Sequence, residues 1–156
     1  MSGAEEASGR AGEDLEERFR KIVEDRFSRA PFYDLIGLSI ESLSKGEARL
    51  SLKAGAHLHN TIGIVHGGAI ASLADASSGV AMATLVPGGS RRVITIEQKV
   101  NFIAPAREGK LLGIGRVIWM DNDIAVSESE IRDEEGSLVA KSIATHTLLP
   151  FFRPGR

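Results

Sequence analysis

A chain of 156 residues has room for one domain with a sizeable core and little beyond it. Its net charge of -2 excludes the broad basic footprint that nucleic-acid binding needs, though not a local basic pocket. With no cysteine, disulfide scaffolds, thiolate metal sites and cysteine nucleophiles are excluded as well.

Residues 1–13 are rich in Gly, Ala, Ser and Glu and lack the apolar stretch of a signal peptide, so they read as a disordered tail on a cytoplasmic protein. Over 14–30, Leu15, Phe19, Ile22, Val23 and Phe27 recur at helical spacing, which predicts an amphipathic helix with Pro31 just past its end. Short strands are expected over 35–43 and 47–52, joined by Ser44-Lys45-Gly46. A polar loop over 57–65 leads into a long helix over 67–86 that carries a single charge, stopped by Pro87-Gly88-Gly89. The weakly polar run 62–86 is long enough to be weighed as a membrane span. It carries His66 and Asp75, and a carboxylate in mid-span is costly, so no membrane partner is expected.

The remainder reads as strands over 93–102, 110–120, 124–132 and 137–149, ending in a tail over 151–156. In the first of these, alternation puts Ile94, Ile96, Val100 and Phe102 on one face and Thr95, Glu97, Lys99 and Asn101 on the other. Asp121-Asn122-Asp123 and Asp133-Glu134-Glu135-Gly136 are hairpin turns. One long helix rich in Ala, Gly and Ser followed by four strands implies an α+β domain, an antiparallel sheet wrapped around a central helix. The helix over 14–30 is an addition to it.

The chemistry concentrates in the sixteen residues from Asn60 to Asp75. Asp75 is the one charged residue in the long helix. In a helix apolar all round, a carboxylate is desolvated, paired or functional; the plainer reading is a residue facing solvent. Gly67 and Gly68 fall where that helix begins, where backbone N–H groups lack intrahelical partners and the dipole end is positive. With no side chain in the way, a substrate carbonyl can approach them, as an oxyanion hole requires. A Gly-Gly pair alone also reads as a loop-to-helix turn, His66 alone as a cap, and Asn60 alone as a loop-stabilising Asx residue. Their combination is what defines a site.

Helix geometry adds a constraint. Gly67 and Asp75 are eight residues apart, which in a helix means a rise of about 12 Å and directions differing by about 80°. A carboxylate cannot span that gap to a carbonyl bound at its own Gly67. If both act on one bond they belong to different subunits, in a homodimer with antiparallel helices and two composite sites.

The block His59-Asn60-Thr61-Ile62-Gly63, Val65-His66-Gly67-Gly68 and Leu73-Ala74-Asp75 resembles the hotdog-fold acyl-CoA thioesterases of the phenylacetate-degradation (PaaI-like) branch. A weaker match continues through Ile94-Thr95-Ile96 and Val100-Asn101-Phe102-Ile103-Ala104-Pro105-Ala106, so the likeness covers residues 35–149. The resemblance implies a hotdog domain over 14–150, an acyl-CoA substrate with no separate cofactor and no metal, and side-by-side dimers paired into tetramers. It makes Asp75 the nucleophile or general base and gives Gly67 the oxyanion N–H, with Gly68 beside it in the substrate-binding set. His66 and Asn60 would position the thioester carbonyl and the attacking water, and Thr95 stands where relatives have a Ser or Thr near that water. The chain departs from the pattern at Asp121-Asn122-Asp123, where relatives often carry a Gly-Lys or Gly-Arg turn near the coenzyme A phosphates. Arg91, Arg92, Arg107 and Lys110 are the remaining candidates for those phosphates, although each taken singly reads more readily as a solvated surface charge.

Thioester hydrolysis suits these residues. The leaving thiolate, with a thiol pKa of about 8.5, departs without a strong acid, so the site must supply a nucleophile and oxyanion stabilisation. A covalent anhydride and base-activated water both meet the first need. Three other readings compete: a hydratase or dehydratase pairing a His with an acid on one proton path, a non-catalytic acyl-CoA-binding module, and a structural assembly protein. A DNA-bound regulator of the second kind needs more than the one helix predicted before the core. In the third, a buried carboxylate only weakens the core.

Overall fold

The computed structural model describes residues 17, 21, 24, 25, 27–86 and 91–150. The expected tails over 1–13 and 151–156 lie outside the described residues, as do Leu15, Phe19, Ile22 and Val23 of the first helix. Glu17, Lys21, Glu24, Asp25 and Phe27 are helical, while Ser28 and Arg29 form a turn, so the helix expected over 14–30 ends before Ser28.

Pro31 does not simply follow that helix. It opens a second, short helix, Pro31–Ile36, because proline at the first helical position is preset in φ and gives up an N–H that would have no partner there. Gly37, at φ +73°, ends it in the left-handed conformation. The strand expected over 35–43 is therefore shortened at its start, and β1 is Leu38–Ser44. The other strands are β2 (Glu47–Ala54), β3 (Arg91–Phe102), β4 (Gly109–Asp121), β5 (Ile124–Arg132) and β6 (Leu138–Pro150). They form one six-stranded sheet in the order β1-β2-β4-β5-β6-β3, every pairing antiparallel.

The central helix, Gly67–Ala83, packs against one face of this sheet and buries Ile70, Leu73, Ala74 and Val80 among Leu50, Leu52, Leu111 and Ile131, with Met82 beside Val86, Ala125 and Leu148. Its small side chains let it approach closely. A Cβ on Gly113 would fall 2.3 Å from the Ser77 hydroxyl oxygen, and one on Gly115 would fall 2.2 Å from the Ser77 carbonyl oxygen. Those two glycines of β4 set the helix-to-sheet distance. At the far end Thr84 accepts a hydrogen bond from the Gly46 N–H (2.8 Å) and donates to the Ala81 carbonyl (2.7 Å), tying the helix terminus to the β1–β2 turn. No helix among the described residues is long and apolar enough to cross a membrane.

The face assignment expected for 93–102 is not what forms. The register of β3 against β6 slips between Thr95 and Glu97, so Ile96 is an inserted residue and the alternation inverts across it. Val93, Thr95, Gln98 and Val100 are the sheltered residues, whereas Ile94, Ile96 and Phe102 are 43%, 57% and 57% exposed. They stand on an edge strand of the sheet.

Candidate active site

The loop before the central helix is held by Asn60. Its Oδ1 accepts from the N–H groups of Ile62 (3.0 Å) and Ile64 (3.3 Å), an Asx arrangement completed by Gly63 at φ +75°. Two backbone donors fix which end of the amide is oxygen, so the Nδ2 hydrogens are what Asn60 has left to offer. Asn60 lines a cavity of about 270 Å³ together with Gly67, Ile70 and Phe102. Among the described residues no acceptor is paired with the Gly67 N–H. That group and the Asn60 amide are thus two donors at one cavity, at the positive end of a helix.

His66 caps the helix: its Nδ1 accepts from the Gly68 N–H at 2.8 Å, which puts the proton of the neutral ring on Nε2. The Gly68 N–H is consequently engaged, while Gly67's is the one presented. The His66 ring lines a different cavity, shared with His57 and His59, and not the one holding Gly67 and Asn60.

Asp75 is half-buried, two turns further along the helix, and lines a third cavity of about 440 Å³ with Phe27, Tyr33, Gly79, Ala83 and Thr95. Thr95 donates to Asp75 Oδ1 at 2.7 Å. Directly across the β3–β6 ladder from Thr95 is His146, fully buried, whose Nδ1 is 3.2 Å from the Thr95 hydroxyl oxygen and whose Nε2 is 2.6 Å from the Ser127 hydroxyl. The direction of every proton follows from the Thr95-to-Asp75 bond. Thr95 gives its hydrogen to Asp75, so it must accept from His146 Nδ1–H, and Nε2 must accept from Ser127. Burial pushes the His146 pKa down, opposed by the negative charge of Asp75, so the ring is held neutral. Burial, and then the same charge, push the Tyr33 phenol up.

Asp75 Oδ2 has no partner among the described residues. The carboxylate is therefore gripped on one oxygen and presents the other. Asp75 and Gly67 line different cavities of the protomer, in keeping with the rise along the helix.

The basic candidates scatter. Arg91 is drawn into the β4–β5 turn, paired with Asp123 and bonded to the carbonyls of Asn122 (3.1 Å) and Leu148 (2.8 Å). Lys110 pairs with Glu41 at 2.7 Å in a separate surface depression. Arg92 is exposed on β3. Arg107 is exposed next to Ala106 of the Gly67 cavity, and its carbonyl holds the His59 ring. Of the four, Arg107 lies nearest in sequence to that cavity's lining. No group of three or more His, Asp or Glu side chains among the described residues is arranged to hold a metal.

His146, Ser127 and Tyr33 are additions to the residues expected from sequence. A signal for His146 exists: Ala144, His146 and Leu148 alternate along β6 as one buried row, an imidazole in an otherwise apolar series. The Thr95 neighbourhood could not be read, because the bulge at Ile96 leaves no trace in the alternation.

The helix-wrapped sheet with this loop-to-helix site is the hotdog architecture of the PaaI-like thioesterases. The Escherichia coli PaaI protein of the phenylacetic acid degradation operon superposes with a TM-score of 0.79 over 85% of this chain and 94% of that one, at 19% identity, a likeness of fold. The chain belongs to the family described as Domain of unknown function (DUF4442), which matches residues 19–148. Among its relatives, SSO1253 of Saccharolobus solfataricus, provisionally named an esterase, is 31% identical over 125 residues, 79% of this chain and 81% of that protein. The medium/long-chain acyl-CoA thioesterase YigI of Escherichia coli is 26% identical over 145 residues, covering 83% of this chain and 94% of YigI.

Proposed function

We propose that the protein is an acyl-CoA thioesterase whose site is completed by a second copy of the chain. The observation that carries this reading is the Asp75 carboxylate, oriented through one oxygen by Thr95 and lining a cavity walled largely by apolar side chains. The named thioesterase among its relatives supports the reaction class.

In the reaction, the thioester carbonyl rests against the Gly67 N–H and the Asn60 amide of one protomer. The partner's Asp75 takes a proton from water as the water oxygen bonds to the carbonyl carbon. The oxyanion is stabilised by the two donors, the C–S bond breaks, and the thiolate leaves with the electron pair. The alternative covalent route uses the same free oxygen of Asp75 to form an anhydride that water then opens. Thr95, His146 and Ser127 act as positioning residues, and none of them is required to change its protonation state. Arg107 is assigned to the coenzyme A phosphates ahead of Arg91, Arg92 and Lys110. His66 acts through its cap, holding the Gly67–Gly68 turn.

A hydratase needs its imidazole on the proton path beside the acid. Here both His146 nitrogens are engaged, the ring is fully buried, and it reaches Asp75 only through Thr95. That disfavours the hydratase. The test is thiol release from a panel of acyl-CoA esters. Asp75→Asn should lower kcat by about 10²- to 10⁴-fold with the circular dichroism spectrum and oligomeric state of the parent; a variant hydrolysing at the parent rate removes Asp75 from the reaction.

A further inference from the structure

Gly79 stands in the middle of the central helix, where glycine is the least favoured residue after proline. Its backbone is not left-handed, and a Cβ built there would meet no heavy atom of the described residues within 4 Å. Neither conformation nor packing against the sheet calls for glycine, in contrast to Gly113 and Gly115 on the opposite side of the helix. A residue that breaks the local rule without a structural reason points to use of the space it leaves.

That space is the cavity of Asp75. Asp75, Gly79 and Ala83 follow one another at intervals of four along the helix, on one face, and all line it. From Asp75 to Ala83 the helix rises about 12 Å. The same cavity is lined by Phe27 and Tyr33, whose ring centroids are 4.6 Å apart, and by Val93 and Ile94. Helix backbone laid bare by small residues faces aromatic and branched side chains, a shape that receives a flat or extended apolar group and leaves a two-carbon one in mostly empty space.

We propose that Gly79 sets the size of the acyl group, keeping open a groove between the central helix and the Phe27–Tyr33 pair that admits a bulky apolar acyl chain, arylacyl or medium-chain. The inference rests on the thioesterase reading and specifies its substrate class. Each side chain added at Gly79 removes room from the distal part of that group first.

The experiment compares kcat/KM for acetyl-, octanoyl- and benzoyl-CoA in the parent, Gly79→Ala and Gly79→Leu, with size-exclusion chromatography and thermal melting of each. The parent should prefer octanoyl- or benzoyl-CoA over acetyl-CoA, and the larger of the two ratios identifies a chain or a ring as the occupant. In Gly79→Leu the preferred ratio should fall by about 30-fold or more, and in Gly79→Ala by less. A parent preferring acetyl-CoA, an unchanged ratio in both variants, or an equal loss on all esters with an altered oligomer would overturn the assignment, the last by placing Gly79 in a subunit contact. A parent inactive on every acyl-CoA would instead sink the thioesterase reading, and the size gate with it.

Discussion

Asp75 holds one oxygen on Thr95 and the other has no partner among the described residues, so in the proposed reaction a single hydroxyl decides which lone pairs a substrate meets. Thr95→Val keeps the shape and removes that hydroxyl. A hydrogen bond to a charged group contributes about 1.5–3 kcal/mol, so kcat should fall by about 10- to 100-fold, and Thr95→Ser should recover most of it. A purely structural Thr95 would lower the melting temperature of the valine variant while sparing kcat. His146 brings a pH dependence. Its folded pKa lies below the unfolded value of about 6.5, so the unfolded chain binds the extra proton and stability is lost as pH falls through and below that value. Glu41 and Glu130, whose pKa values are lowered first by hydrogen bonds from Lys110 and Arg132, also lose stability on acidification, but only below about 4.5. Between pH 7 and pH 5 the parent should therefore lose more unfolding free energy than His146→Gln, measured by urea denaturation at each pH; equal losses would take His146 out of this role. At this scale the sequence exposes Asp75 through its isolation in an apolar helix. It hides the His146 side, because three strands bring Thr95, Ser127 and His146 together.

At the scale of elements, glycine marks both faces of the central helix, for opposite reasons. On the sheet side a methyl group at Gly115 would press into the Ser77 backbone, which cannot rotate away, and overpacking of this kind costs about 1–3 kcal/mol. Gly115→Ala should melt well below the parent. On the cavity side Gly79→Ala replaces a poor helix former in open space and should gain about 0.5–1 kcal/mol. Calorimetry on both variants checks the pair, and a destabilised Gly79→Ala would mean that the cavity face is packed. The long helix was legible from its run of small apolar residues and the strands from the turn residues between them, and the 124–132 strand forms over those same residues. What escaped was decided elsewhere. Pro31 is equally suited to stopping one helix and starting another, and the outcome is set by Gly37 six positions on. The bulge at Ile96 follows from the register imposed by β6, which no reading of β3 alone contains.

For the whole molecule, the two parts of the proposed site line separate cavities of one protomer, Gly67 and Asn60 in one and Asp75 in the other. The exposed Ile94, Ile96 and Phe102 lie on edge strand β3, the strand that also carries Thr95. Pairing of two copies is what the proposed reaction requires, and subunit mixing measures it most directly. Asp75→Asn and Asn60→Ala variants, each inactive alone, are refolded together in equal amounts, with mixed dimers verified by native mass spectrometry. In a mixed dimer one site inherits both substitutions and the other inherits neither, so random pairing should restore about one quarter of the parent's activity. A verified mixture no more active than its two components would contradict the shared site.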